Sequence, residues 1–176
     1  FGKGSGGHLN IFRYIQHLEK LGHHNRIYIF GESIFNSDDE AKRFINKEFF
    51  HLESEVYVSI NDIKDSDAVF ATSWQTAYIV NKIENTHKKF YFIQDYEPYF
   101  YPVGSESLFA QQTYQFDFKR ITMGPWIKNL LKEKFDLNSD SIDFGHDPLI
   151  YYKKNSSNPL NNHIFFYSRP ATARRC

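Results

Sequence analysis

The chain has 176 residues, enough for one domain with a sizeable hydrophobic core. Its 21 basic residues balance its 21 acidic residues, so its bulk charge gives no reason to expect a nucleic-acid partner. Its single cysteine excludes an internal disulfide, and its apolar runs are too short to span a bilayer. We therefore expect a cytoplasmic protein without a transmembrane segment, which leaves open a peripheral association with the inner face of the plasma membrane.

Apolar periodicity predicts an alternation of helices and short apolar strands from residue 8 to residue 145. The predicted helices are 8–21, 37–49, 74–83, 105–116 and 125–135, and the predicted strands are 26–30, 55–59, 67–72, 88–95, 119–123 and 141–145. We expect Ser37 or Asp38 to cap the second helix and Ser105 to cap the fourth, and the fifth has proline at its favoured first position. This alternation is typical of an α/β fold, with a Rossmann-like parallel sheet and helices on both faces. Since the chain begins without methionine just before a helix, we expect a fragment whose first strand is missing.

A polar, turn-rich stretch at 153–162 predicts a domain boundary near residue 155. Residues 1–155 would form an N-terminal Rossmann-like domain. Residues 156–176 would then supply a linker and the first strand of a truncated second domain.

The chain opens with the glycine-rich stretch FGKGSGGH, directly before the first predicted helix. Backbone N–H groups at a helix N-terminus favour phosphate, so one hypothesis is a phosphate-binding loop. The spacing of Gly2, Gly4 and Gly7, with Glu32 after the second predicted element, also resembles a dinucleotide fingerprint. An NAD(P)-dependent oxidoreductase domain therefore remains an alternative, as does a chain end with no role.

The stretch FIQDYEPYFYP follows an aromatic strand and is rich in polar and ring side chains. Ligands of parallel sheets lie at the carboxyl ends of the strands, so Gln94, Asp95, Tyr96, Glu97 and Tyr99 are predicted to face a ligand. Two carboxylates one residue apart can bind hydroxyls, shift each other's pKa or hold a metal. Simple turn chemistry is the alternative explanation.

Three arginines crowd the end of the chain just after an apolar stretch at 163–168 that predicts a further strand: Arg169, Arg174 and Arg175. The planar guanidinium donates in pairs and keeps its charge, which suits a diphosphate. A solvated basic tail is the alternative. The eight histidines show no convincing metal-ligand spacing, so no metal site is predicted.

Six segments together resemble the rhamnosyltransferases of bacterial surface-polysaccharide assembly, in particular those of S-layer glycan synthesis within family 4 of the glycosyltransferases. In chain order they are GSGGHLNIFRYIQHLEKLGH, DAVFATSWQTAY, FYFIQDYEPYFYPVGSES, ITMGPWIKNLL, FGHDP and FFYSRPATARR. The resemblance implies a two-domain GT-B fold, of which this chain is mostly the N-terminal, acceptor-side half. It also implies a nucleotide-sugar donor, dTDP-rhamnose in the closest relatives, a glycan acceptor and no metal or other cofactor.

The resemblance assigns roles to residues of this chain. It places the donor diphosphate against Gly6, Gly7, Arg169 and Arg174, although Arg174 and Ser168 stand where many family members have lysine and glycine. Because most of the donor site would lie beyond the chain, the fragment alone is expected to be inactive. A non-catalytic glycan-binding module remains a further alternative. The acceptor would meet Asp95 and Glu97 as the catalytic pair, with Gln94, Tyr96, Tyr99 and His8 as acceptor-binding residues.

Overall fold

A computed structural model describes residues 2–31, 34–148, 150–152 and 164. The chain divides into two compact units, Phe1–Phe90 and Tyr91–Cys176. The predicted boundary near residue 155 lies outside the described residues, so that prediction stays untested.

The first unit alternates helices with short strands. Its helices begin after serine caps, because Ser5, Ser37 and Ser73 each accept a hydrogen bond from a backbone N–H three residues later. Of the two predicted candidates for the cap of the second helix, Ser37 and Asp38, the cap is Ser37. The elements are α1 (Gly6–Lys20), β1 (Arg26–Tyr28), α2 (Asp38–Glu48), β2 (Glu55–Tyr57), β3 (Ser66–Ala71), α3 (Trp74–Lys82) and β4 (Thr86–Ile93), which continues into the second unit.

The strands of the first unit pair in two places. β1 and β2 run parallel, with Ile27 opposite Val56. β3 and β4 share a hydroxyl contact of 3.2 Å between Ser66 and Thr86. Apolar side chains pack α1 and α2 beside β1 and β2 in a buried cluster of Phe12, Ile29, Phe35, Ala41, Ile45, Leu52 and Val56.

The second unit contains two short 3-10 helices, one before and one after its first α-helix. Its elements after β4 are the 3-10 helix Glu97–Phe100, α4 (Ser105–Gln112), the 3-10 helix Thr113–Gln115, β5 (Lys119–Met123), α5 (Pro125–Phe135) and β6 (Asp140–Ile142). β5 and β6 run parallel, with Thr122 opposite Ser141. α5 has proline in its first turn, where the missing N–H costs nothing.

The sheet confirms the predicted α/β fold. Strands β3-β4-β5-β6 form one four-stranded parallel sheet flanked by helices, consistent with a Rossmann-like fold. Within the described residues, β1-β2 is a separate two-stranded sheet. The missing first strand and the GT-B assignment remain predictions.

Three local predictions differ from the structure. The helix predicted at 105–116 ends at Gln112 and continues as the separate 3-10 helix Thr113–Gln115. Its cap is Gly104 rather than the predicted Ser105, which is the first helical residue. The 3-10 helix Glu97–Phe100 was not predicted at all, because Pro98 beside two carboxylates is typical of an irregular loop.

Candidate functional site

The start of α1 contains two of the predicted diphosphate-binding residues. Gly6 and Gly7 are the first two residues of this helix and lie exposed in its first turn, not in the preceding loop. Helix geometry leaves the N–H groups of a first turn without intrahelical acceptors. Their placement is therefore compatible with binding an anion.

His8 lies in the same turn and contacts the capping serine. Its Nδ1 is 2.6 Å from the Ser5 hydroxyl oxygen, and its ring centroid is 6.3 Å from that of Phe12. Burial of the imidazole lowers the pKa of His8 below its ordinary value. The neutral imidazole is therefore the favoured form at neutral pH.

The carboxyl end of β4 leads directly into the predicted acceptor residues. Gln94 and Asp95 follow Ile93, the last strand residue, and both are half-buried. One carboxylate oxygen of Asp95 accepts a 2.8 Å hydrogen bond from the backbone N–H of Tyr96. This bond orients the carboxylate at the strand end, where parallel sheets bind ligands.

The next two residues, Tyr96 and Glu97, are buried. Tyr96 is 1% exposed and Glu97 is 6% exposed. The Tyr96 hydroxyl donates to the side-chain oxygen of Gln111 at 3.4 Å. The Glu97 carboxylate accepts from the Tyr91 hydroxyl at 3.3 Å, and the Glu97 N–H donates to the Tyr114 hydroxyl at 3.1 Å. Neither side chain lies open to an acceptor as the sequence had indicated.

Three tyrosine rings stack beside one another, and two of them, Tyr91 and Tyr114, contact Glu97 through their hydroxyls. The ring of Tyr114 lies between those of Tyr91 and Tyr96, with centroid distances of 5.8 Å and 5.6 Å. Burial raises the pKa of Tyr91 well above its ordinary value, and the Glu97 charge adds to this effect. The same two causes raise the pKa of Tyr114. Both phenols therefore stay protonated; that of Tyr91 donates to the Glu97 carboxylate, and that of Tyr114 accepts from the Glu97 N–H.

Tyr99 lies on the outer side of this stack. It is 50% exposed, and its ring packs edge-on against Tyr96 at 4.7 Å. The Lys134 ammonium lies 5.0 Å from the Tyr96 ring centre and 5.4 Å from the Tyr99 ring centre. Lys134 belongs to the last turn of α5, whereas the first turn of α5 follows the carboxyl end of β5. Tyr99 thus lies beside the C-terminal turn of α5.

Sequence reasoning missed Tyr91, Tyr114 and Lys134, which build the surroundings of the predicted residues. The aromatic strand ending in FYFI was a signal for Tyr91, because alternate residues of a strand share one face. Tyr114 and Lys134 lie 17 and 37 positions beyond Glu97 in the chain, and no local pattern links them to it.

Residues 8–124 of the 176-residue chain match the family model described as "WsaF, N-terminal domain". The chain belongs to this family. Over 108 residues, 61% of the chain, it is also 29% identical to a protein of Myxococcus xanthus named "O-antigen biosynthesis protein RfbC". The matched region is 8% of that relative, so the chain spans a small part of its length.

The match to the WsaF N-terminal domain covers some of the predicted site. It includes His8 and all five predicted residues between Gln94 and Tyr99. Arg169 and Arg174 fall beyond the match and outside the described residues, so their predicted convergence with Gly6 and Gly7 stays a prediction. Glu32, on which the dinucleotide alternative depends, also lies outside the described residues.

Two further observations concern metals and membranes. Among the residues described, no three His, Cys, Asp or Glu side chains come close enough together to hold a metal ion. In the same part of the chain, no helix has the length and apolar character needed to cross a bilayer. These observations do not test the prediction that the site contains no metal.

Proposed function

We propose that this WsaF N-terminal domain is the acceptor-side half of a glycosyltransferase that extends a bacterial surface polysaccharide. The observation that carries the proposal is the family match over residues 8–124. The relative named for O-antigen biosynthesis supports the same class of product. A parallel α/β sheet with polar residues at a strand end is a suitable scaffold, because such edges bind ligands.

The acceptor glycan would meet Asp95. This carboxylate is half-buried directly after β4 and is oriented by the Tyr96 N–H. It can accept a hydrogen bond from a sugar hydroxyl and can take up its proton as that hydroxyl attacks the donor. Glu97 cannot play the same part without moving, since it is buried among tyrosines. We therefore assign the direct contact to Asp95, with Gln94 beside it.

The donor would be a nucleotide-diphosphate sugar, with dTDP-rhamnose as our proposal. Breaking the sugar–phosphate bond leaves negative charge on the diphosphate, and fixed donors stabilise that charge most in the transition state. The exposed N–H groups of Gly6 and Gly7 would serve as such donors, together with the guanidinium groups of Arg169 and Arg174. His8, with its imidazole neutral, would lie beside Gly6 and Gly7 and contact the acceptor glycan.

The proposed reaction places the enzyme in the cytoplasm, at the inner face of the plasma membrane, where a growing polysaccharide and nucleotide-sugars are both available. Association with that membrane would be peripheral. The proposal needs no metal, because the arginines would neutralise the leaving diphosphate.

The full-length enzyme tests this proposal in an assay with dTDP-rhamnose, UDP-glucose and GDP-mannose and a surface-glycan acceptor. We expect sugar transfer from dTDP-rhamnose, and we expect Asp95→Asn to lower kcat/KM for the acceptor by about 100-fold or more. Asp67→Asn is the matched control, because Asp67 is exposed on β3. Glycan binding without transfer from any donor would contradict the proposal and support a binding module. Saturable NADH binding would support the oxidoreductase alternative.

A further inference from the structure

The segment between β4 and α4 is anchored at one residue, Glu97, by two buried polar contacts. Tyr91, in the last part of β4, reaches the Glu97 carboxylate with its hydroxyl at 3.3 Å. The hydroxyl of Tyr114, in the 3-10 helix after α4, accepts a hydrogen bond from the Glu97 N–H at 3.1 Å. A single residue of the 97–100 helix is thus bonded to an element before it and to an element after it.

Filling this buried space with a carboxylate costs more free energy than filling it with an apolar side chain would. Removing a charge from water costs several kcal/mol unless hydrogen bonds replace the lost hydration, and an apolar residue would pack at less cost. Glu97 is 6% exposed and has phenols against its carboxylate and its backbone N–H. Hydrogen bonds are directional, so they fix the position of this residue more narrowly than apolar packing would.

Tyr96 links the position of Glu97 to the orientation of Asp95. Tyr96 is 1% exposed, its ring stacks on Tyr114 at 5.6 Å, and its N–H donates to the Asp95 carboxylate at 2.8 Å. The peptide unit that orients Asp95 is therefore immobilised by the same Tyr114 that accepts from Glu97.

We infer that Glu97 and Tyr114 are positioning residues that hold the Asp95 carboxylate at the end of β4 in the orientation an acceptor sugar requires. This inference rests on the proposed function, in which Asp95 contacts the acceptor. It separates the two carboxylates that the sequence had paired as catalytic. Asp95 touches the substrate, and Glu97 acts through the backbone of Tyr96.

Tyr114→Phe in the full-length enzyme tests the inference, because it removes the acceptor of the Glu97 N–H and keeps the ring stack. We expect amide hydrogen exchange at Glu97 to quicken by about tenfold, with α2 unchanged. We also expect the acceptor KM to rise by about tenfold, while the donor KM stays constant. Tyr151→Phe is the control, since Tyr151 is 68% exposed.

Glu97→Ala and Glu97→Gln provide a second comparison. Alanine should raise the acceptor KM. The glutamine keeps an oxygen that accepts from Tyr91, so it should show little of that rise. A purely structural role would instead lower the fraction of folded enzyme and leave both KM values alone.

The outcomes separate the two hypotheses. Transfer by the unsubstituted enzyme with an unchanged acceptor KM in Tyr114→Phe would overturn the positioning inference and leave the proposed function intact. Unchanged amide exchange at Glu97 would overturn it too, since the contact would then hold nothing in place. No sugar transfer by the unsubstituted enzyme would refute the proposed function, and this inference with it.

Discussion

The backbone N–H of Glu97 donates to the hydroxyl of Tyr114 at 3.1 Å, although 17 positions separate the two residues in the chain. Both residues are buried, and both lie in short 3-10 helices that flank α4. The segment that contains the predicted acceptor residues is therefore anchored in the core of its unit. A surface loop with the same sequence would leave Asp95 free to adopt many orientations, at an entropic cost on binding.

The buried phenols predict a specific response to alkaline pH. Burial and the Glu97 charge raise the pKa of Tyr91 and Tyr114 in the folded state, whereas an unfolded tyrosine titrates near pH 10. The folded state holds these protons more tightly, so the stability they contribute is present below about pH 10 and is lost as pH rises further. We expect two tyrosines to ionise only when the protein unfolds.

Ultraviolet absorbance of tyrosinate, recorded together with circular dichroism during an alkaline titration, measures this response. The Tyr91→Phe and Tyr114→Phe variants should each lose one late-ionising group. Ionisation of all tyrosines before any loss of secondary structure would contradict the prediction.

Sequence patterns predicted most of the secondary structure because each element has its own local signal. The α2 cap at Ser37 and the proline in the first turn of α5 were both predicted, and both are local chemistry. The strands were found from short apolar runs. The observed strand bounds differ from the predicted ones by a few residues, because strand ends depend on pairing partners that lie far away in the chain.

The site was harder to predict because its geometry depends on distant residues. Asp95 and Glu97 look equivalent in sequence, yet Asp95 is half-buried at the strand end and Glu97 is buried. The difference comes from Tyr91 and Tyr114, which no spacing rule connects to Glu97. Gly6 and Gly7 were predicted in a loop because glycine disfavours helices, but the Ser5 cap starts the helix before them.

Glu19 ties the end of α1 to the start of β2, which predicts a measurable stability contribution. Its carboxylate accepts from the Ser54 N–H at 2.9 Å and from the Glu53 N–H at 3.2 Å. Ser54 is 4% exposed, so losing this acceptor leaves a buried N–H unpaired. We expect Glu19→Ala to lower the free energy of unfolding by about 2 kcal/mol, and Glu19→Gln by about half as much.

Urea denaturation measures this change, with Lys20→Ala as the control, because Lys20 is the exposed neighbour of Glu19. Equal midpoints for the alanine and glutamine variants would show that removal of the negative charge, and not the loss of an acceptor, sets the effect.

Gly124 joins β5 to α5 in a backbone conformation that glycine alone adopts readily. Its φ is 82° and its ψ is 157°, outside the left-handed helical region that asparagine tolerates. Its N–H donates to the Ile142 oxygen at 2.7 Å, which ties this conformation to β6. An added Cβ would lie 3.7 Å from the Phe144 ring, an ordinary contact, so strain in the backbone dominates the cost of substitution.

We therefore expect Gly124→Ala and Gly124→Asn to lower the free energy of unfolding by a similar amount, about 1–3 kcal/mol. Gly145→Ala should change it little, because nothing lies within 4 Å of a Cβ at that position and its φ is not positive. Thermal and urea denaturation of the three variants measure the difference. If asparagine were tolerated and alanine were not, the backbone at Gly124 would have relaxed into the left-handed helical region, and the strain argued from its φ and ψ would be wrong.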